Sequence, residues 1–132
     1  MTLTSVGKAM IAHTLTGDVT TYLPLSTANA CLGVGDGTAV FAASQTNLQA
    51  AGANHLRKNV NTAPTFSGTD LATITFVAEF TTAEANFAWQ EDGIFNNVTN
   101  AAGQMLTRNV GYLITKTSSV SVIFTKTLTI SV

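Results

Sequence analysis

The sequence predicts an all-β protein, an antiparallel β-sandwich of jelly-roll-like character that follows a short N-terminal helix. Two observations predict the sandwich. Apolar and polar residues alternate along most segments after residue 18, as in strands with one buried face. Turn-forming residues interrupt this alternation about every ten residues, which favours several short antiparallel strands. We expect residues 1–132 to form a single domain, with residues 1–17 as the helix or arm.

Helical spacing of apolar residues near the start of the chain predicts the helix. Thr4 or Ser5 can cap its N-terminus through a side-chain oxygen. Gly17, followed by Asp18, is a natural stop. One stripe of the helix combines apolar residues with a histidine, and we expect this stripe to contact a neighbouring molecule. The candidate interface residues on the helix are Val6, Met10 and His13.

Short strands and turns follow in the first half of the chain. Residues 30–34 predict a strand that leads into a Gly-Asp-Gly turn at 35–37. Residues 44–52 predict a brief helical turn or an ordered loop. Residues 55–60 begin either a strand or a basic turn, and we expect their cationic side chains to contact an acidic site on a protein partner. The candidate interface residues in this cluster are His55, Arg57 and Lys58.

The second half of the chain contains the clearest strand patterns. Residues 71–80, 86–90 and 104–114 predict three strands, and residues 120–132 predict the longest. This last run exceeds the usual strand length, so we expect a bend or bulge near Lys126, which interrupts its apolar face. The predicted core consists of Ile74, Phe76, Phe80, Phe87, Trp89, Phe95, Val122, Phe124, Leu128 and Ile130.

Charge is scarce in this sequence. Charged residues make up 10% of the chain, against roughly a quarter in an ordinary domain, and the net charge is −1. This balance argues against binding to nucleic acid or to a membrane surface. A weakly charged exterior associates readily, so we expect a homo-oligomer or a larger assembly. The single cysteine, Cys31, allows no intrachain disulfide, and the N-terminus lacks the pattern of a signal peptide.

No motif points to catalysis or metal binding. The glycine-rich segment 33–37 lacks the Lys-Ser/Thr pair of a phosphate-binding loop, so it is better explained as a turn. His13 and His55 lie far apart in sequence and do not have the spacing of metal ligands. Glu84 and Glu91 lie on either side of a predicted strand and are better explained as surface or salt-bridge groups than as a catalytic pair. We therefore predict no enzyme activity, no catalytic residue, no metal and no cofactor.

An aromatic surface for sugar binding is an alternative. Trp89 together with Tyr22 or Tyr112 offers rings on which a sugar can stack. The alternation with Phe87 instead places Trp89 in the core, and we consider the core the better explanation. A carbohydrate-binding module that uses Trp89 is kept as an alternative function.

Several segments together resemble a known group of proteins. They are TSVGKAMIAHTLTGD at 4–18, LGVGDGT at 32–38, EANFAWQEDGIFN at 84–96, GQMLTRNV at 103–110 and TKTLTIS at 125–131. The acidic and aromatic residues that lead through glycine into "IFN", followed by "ML.R", are the most telling. In these segments the chain resembles small structural proteins of tailed bacteriophages. The motifs concern packing and turns, so the resemblance implies a fold and a setting but no catalytic residue.

The resemblance implies a structural protein of the virion, made in the cytoplasm of a bacterial host. Its leading role is a capsid decoration (cement) protein that binds the major capsid protein, with a trimer as the favoured homo-oligomer. The alternative within the virion is a tail fibre, collar or baseplate component with other virion proteins as partners.

Overall fold

Two antiparallel sheets stacked face to face, with one helix packed beside them, form the architecture. The computed structural model describes residues 2–130. The first sheet has the strand order β2-β1-β5-β6 and the second has the order β3-β4-β7. The elements are α1 (Ser5–Leu15), β1 (Cys31–Gly35), β2 (His55–Asn59), β3 (Thr65–Ser67), β4 (Thr73–Phe80), β5 (Ala88–Phe95), β6 (Met105–Thr115) and β7 (Val122–Thr129). The predicted all-β sandwich with an N-terminal helix is confirmed.

The sandwich differs in detail from a jelly roll. A jelly roll has eight strands, whereas residues 2–130 form four strands in one layer and three in the other. Neighbours along the chain pair as the hairpins β1-β2, β3-β4 and β5-β6. The remaining pairs, β1-β5 and β4-β7, join segments distant in sequence.

Helix α1 is capped by Thr4 at its N-terminus and is followed by Gly17 at its C-terminus. The Thr4 hydroxyl accepts a hydrogen bond from the amide of Gly7 at 2.9 Å and donates one to the carbonyl of Met105 at 2.5 Å. At the other end, Gly17 has a φ of 78°, the left-handed conformation typical of the residue after a helix. Because Thr4 also binds β6, the same residue starts the helix and fixes it to the sheet.

Gly7 lies where the helix backbone meets β6. A methyl group at this position would collide with the backbone carbonyl of Leu106. In an open helix, glycine to alanine gains about 1 kcal/mol. Here we expect Gly7→Ala to lower the free energy of unfolding by about 1–3 kcal/mol through steric overlap. Urea unfolding measures the change, and Gly52→Ala, which meets no atom within 4 Å, is the control. A stabilised Gly7→Ala variant would contradict this contact.

The main core lies between the two sheets. Phe76, Phe80, Trp89 and Leu128 are buried there, and Ile74, Phe87, Val122 and Phe124 are partly buried against them. Phe95 is also buried, but in a second cluster on the opposite face of the first sheet. Ile130 was predicted in the core and is instead 58% exposed. It follows the last residue of β7, Thr129; its amide still donates to the carbonyl of Ala72 at 2.9 Å, but its side chain lies at the surface.

β7 contains no bulge, which corrects the expectation of a bend near Lys126. It pairs with β4 in unbroken register from Thr73↔Thr129 to Phe80↔Val122. The Lys126 side chain turns inward between the sheets and its Nζ lies 2.9 Å from Oδ1 of Asp92 on β5. The interruption of the apolar pattern is therefore an ion pair and not a break in the strand. Residues 131 and 132 of the predicted last strand lie outside the described residues.

A loop covers the outer face of the first sheet. We call residues 37–50 the covering loop. Its Leu48 packs with Cys31, Phe95 and Met105 in the second cluster. The strand β1 is consequently buried on both faces along its whole length. The sequence predicts a brief helical turn or an ordered loop over 44–52, and the layer that this segment forms over the sheet has no counterpart in that prediction.

Candidate functional site

Most charged side chains of this protein are at least partly buried. Of six basic and seven acidic residues, five are buried: Arg57, Glu91, Asp92, Arg108 and Lys116. Among the described residues only two charged residues, Lys8 and Asp70, are exposed, whereas thirteen large apolar side chains are exposed. The exterior is therefore even poorer in charge than the composition indicates. A surface of this kind favours contact with other polypeptides.

The most deeply buried charges form an ion pair that we call the anchor pair, Glu91 on β5 and Arg108 on β6. Nε of Arg108 donates to Oε2 of Glu91 at 2.7 Å, and both side chains are fully buried. The backbone amides of Gln49 and Ala50 also donate to the Glu91 carboxylate at 2.9 Å. The anchor pair therefore holds the end of the covering loop on the sheet.

Arg108 reaches the beginning of the same loop. Its Nη1 donates to the carbonyl of Ala39 and to Oε1 of Gln45, each at 3.0 Å. Space for the anchor pair exists because Gly35 has no side chain: a Cβ there would lie 2.6 Å from Oε1 of Glu91. With its oxygens enclosed and bonded to three donor groups, Glu91 is a structural anchor and not an accessible general base.

The predicted basic cluster does not form a basic surface. His55, Arg57 and Lys58 lie on the strand β2 and not in a turn. Arg57 is buried, and its guanidinium stacks 3.8 Å from the centre of the Phe95 ring. Its Nη1 donates to the carbonyls of residues 97, 99 and 102, so it fastens the β5-β6 connection. Burial lowers the pKa of the Arg57 guanidinium from its ordinary value. Arg57 was predicted at an interface, and its burial corrects that prediction.

The other residues of the cluster are half-buried. Lys58 Nζ lies 2.6 Å from Oε1 of Glu84, and this hydrogen bond holds the pKa of the Glu84 carboxyl below its usual value. Glu84 was better explained as a salt-bridge group than as part of a catalytic pair, and the structure agrees with that interpretation. His55 stands at the start of β2 and remains half-buried. Arg57 and Lys58 thus serve contacts within the chain.

The candidate interface residues on helix α1 also make contacts within the chain. Met10 is buried in the main core, which corrects its prediction as an interface residue, because the stripe faces the sandwich. His13 Nδ1 lies 2.7 Å from Oδ2 of Asp18, and its ring stands edge-on against Tyr22 at 5.1 Å. Hydrogen bonds to the Asp18 carboxylate hold its pKa far below the usual value, and the bonds from the hydroxyl and the amide of Thr21 have the largest effect. Val6 remains half-buried.

Trp89 is unavailable to a sugar. Its side chain is 1% exposed, and its Nε1 donates to the carbonyl of Ala85 at 2.9 Å. The indole packs edge-on against Phe80 at 5.0 Å and Phe124 at 5.6 Å. A carbohydrate module that uses Trp89 therefore has no accessible ring, and the core position that the alternation favoured is the observed one.

An apolar groove that the sequence analysis missed opens beside α1. It has a volume of about 230 Å³ and lies between the helix, residues 23–25 and the ends of β4, β6 and β7. Leu15 on its rim is 83% exposed. The exposed Ile130 also lines it, which accounts for the apolar character of that residue outside the core.

Cys31 is the one cysteine, and it is enclosed. Its Sγ donates to the carbonyl of Asn97 at 3.1 Å, and burial raises the pKa of the thiol to about 11. The ordinary pKa of a cysteine thiol in an unfolded chain is about 9. The folded state keeps the thiol protonated up to a higher pH than the unfolded chain does. The contribution of Cys31 to the free energy of unfolding is therefore fully present below pH 8 and is lost as the pH rises towards 11.

We therefore expect the free energy of unfolding to fall by about 2–3 kcal/mol between pH 8 and pH 11 through Cys31 alone. Urea unfolding of the wild-type chain and of Cys31→Ala across this range isolates the contribution, because the other titrating groups are common to both. The difference in stability between the two chains should narrow with rising pH. A constant difference would show that the thiol is not held protonated.

Residues 2–130 contain no group of three or more His, Cys, Asp or Glu side chains placed to hold a metal ion. None of the described helices has the length and apolar character needed to span a membrane. Comparison with protein-family models, with curated proteins and with solved structures gave no match to this chain.

Proposed function

We propose that this chain is a structural protein of a bacteriophage particle, and specifically a decoration protein that binds the major capsid protein on the head shell. The observation that carries the proposal is the exterior, on which two exposed charged residues stand beside thirteen exposed large apolar ones. Most of the chain's ionic groups hold its own loops and sheets together. The resemblance of residues 84–96 and 103–110 to phage structural proteins supports the same setting.

The mechanism is passive binding. A small rigid sandwich that binds the assembled shell but not its free subunits stabilises the shell by mass action. Each further copy bound to the lattice adds to this effect, since subunits held at several contacts dissociate more slowly. Rigidity matters here, and the anchor pair supplies it by fixing the covering loop against the sheet. The chain is made in the bacterial cytoplasm and joins the particle there.

Imaging tests the location. Particles purified from the bacterium that encodes this chain are labelled with a gold-conjugated antibody against it and viewed by electron microscopy. Label spread over the heads is the expected result. Label confined to tails or to the neck would support the tail, collar or baseplate alternative and overturn decoration. Particles that contain no copy of the chain would overturn both.

Shell stability tests the mechanism. Particles produced without this chain should release their DNA at a lower temperature than complete particles, and adding the purified chain should restore the higher temperature. The Gly7→Ala variant is a poor control because its fold is weakened. The matched control is Gly52→Ala, which is expected to fold and bind as the wild type does. Equal release temperatures with and without the chain would contradict a cementing role.

A further inference from the structure

The strand β7 forms an open edge of the three-stranded sheet. Its partner β4 occupies one side along all eight residues. Among residues 2–130, no strand lies on the other side, and no backbone hydrogen bond outside the pairing with β4 involves residues 122–129. The backbone amides and carbonyls along that edge are therefore free to pair with another strand.

The other three sheet edges are protected in ways that natural proteins use. β3 has three residues and follows closely on Pro64. β2 is only five residues long and carries Lys58, which is half-buried in its ion pair with Glu84. β6 is bridged to the N-terminal segment at Leu3↔Thr107, and its register with β5 shifts around residues 111–113. Each of these features hinders pairing with another chain.

β7 has none of these protections. It is eight residues long, contains no proline and pairs without a register shift. Its outward side chains are Ile123, Thr125, Thr127 and Thr129, all uncharged and β-branched. Its one charge, Lys126, points inward to Asp92. An edge of this length and composition is a template for strand pairing.

We propose that β7 is an interaction surface that pairs with β7 of a second copy of this chain, antiparallel about a two-fold axis through Thr125. A two-fold axis perpendicular to the sheet places the inner faces of both copies on the same side. Inward residues, which carry even numbers, must then lie opposite inward residues of the other copy. The registers that meet this condition are centred on a residue of the strand.

Two such centres keep most of β7 paired, Thr125 and Lys126. A centre at Lys126 sets two lysines directly opposite each other, which is unfavourable. A centre at Thr125 sets Thr125 opposite itself, Ile123 opposite Thr127 and Phe124 opposite Lys126. β-branched side chains then face one another on the outer side, and each lysine lies beside an aromatic ring on the inner side. The strand is self-complementary in this register, which is why a second copy is the partner.

The joined sheets form one six-stranded sheet with the order β3-β4-β7-β7-β4-β3. This two-fold contact differs from the trimer that the phage resemblance implies. It concerns the purified chain in solution, so its failure would leave the location on the particle untouched.

Cysteine cross-linking tests the register. Opposed residues in an antiparallel pair have Cα atoms about 4.5–5.5 Å apart, within the range that a disulfide spans. Thr125→Cys should give a disulfide-linked dimer under mild oxidation at pH 8, where the enclosed Cys31 is a protonated thiol. Thr75→Cys, at the β4 position paired with Thr127, is the control and should stay uncrosslinked. A disulfide between Thr125→Cys and Thr127→Cys chains, with none in Thr125→Cys alone, would overturn the register.

Charge exchange tests the surface without a covalent bond. Thr125→Lys and Thr125→Glu each place like charges opposite one another at the axis, so each alone should weaken the dimer at least tenfold in sedimentation equilibrium. An equimolar mixture should restore it, because lysine then faces glutamate. Circular dichroism and thermal unfolding verify that both variants fold. A wild-type chain that stays monomeric or trimeric at tens of micromolar, or a dimer that Thr125→Lys does not weaken, would overturn the proposal.

Discussion

Replacing Arg108 with methionine is expected to lower the free energy of unfolding by about 3–5 kcal/mol. Methionine retains much of the apolar volume of the side chain but removes the charge that faces Glu91. The Glu91 carboxylate would then be fully buried with only the amides of Gln49 and Ala50 as partners. Urea unfolding measures the loss. A change below 1 kcal/mol would show that the guanidinium does not stabilise the buried carboxylate.

The covering loop supplies a second measurement of the same variant. Arg108 also binds Ala39 and Gln45, so Arg108→Met releases the start of the loop as well as its end. Limited proteolysis should then cut within residues 37–50 at a concentration of protease that leaves the wild type intact. Lys58→Met is the control, because its ion pair with Glu84 involves no residue of this loop. Cleavage elsewhere first would contradict the anchoring role.

The anchor pair lies outside what strand patterns can predict. Glu91 and Arg108 occur in strands recognised by their apolar neighbours, and a charged residue in such a strand is ordinarily assigned to the solvent face. In this protein the outer face of the first sheet is covered by the loop 37–50, and the loop residues that bind Glu91 lie more than 40 residues away from it in sequence. Amphipathic periodicity reports which face is apolar and contains no information on what a distant loop will cover. The glycine-rich segment 33–37 was the sequence signal for this cover. β1 is buried on both faces, and glycine at position 35 leaves room for the Glu91 carboxylate.

Local features were predictable because their causes are local. Thr4 caps the helix through an amide three residues away, and Gly17 ends it through its own backbone angle. The inward face of β7 was predicted from alternation alone. Two of the predicted interface residues are buried for the opposite reason. Met10 was assigned from its helical stripe and Arg57 from its basic neighbours, whereas their burial depends on contacts with β6 and with the β5-β6 connection. Lys126 was misinterpreted as a bend because its partner, Asp92, lies in another sheet.

The ion pair between Lys126 and Asp92 leads to the second large effect. Asp92 is nearly inaccessible, and its Oδ1 accepts from Lys126 Nζ at 2.9 Å and from Asn109 Nδ2 at 3.3 Å. Lys126→Met leaves this carboxylate between two apolar sheet faces with Asn109 as its side-chain partner. We expect the free energy of unfolding to fall by about 3 kcal/mol, measured by urea unfolding at neutral pH.

Removing both charges should have the opposite sign. In the double variant Asp92→Leu, Lys126→Met, no buried charge remains unpaired, and the space between the sheets becomes continuous apolar core. Replacement of a buried ion pair by apolar residues is commonly neutral or stabilising by about 1–4 kcal/mol. We expect the double variant to be at least as stable as the wild type, and so more stable than Lys126→Met. A double variant as unstable as the single one would show that packing of the lysine stem, and not the buried carboxylate, carries the effect.

Hydrogen exchange along β4 and β7 tests whether the ion pair also selects the register between these two strands. If the alternation of apolar residues alone sets the register, the backbone amides should stay protected in the wild type, in Lys126→Met and in the double variant. Lost protection in a stable double variant would show that the ion pair selects the register.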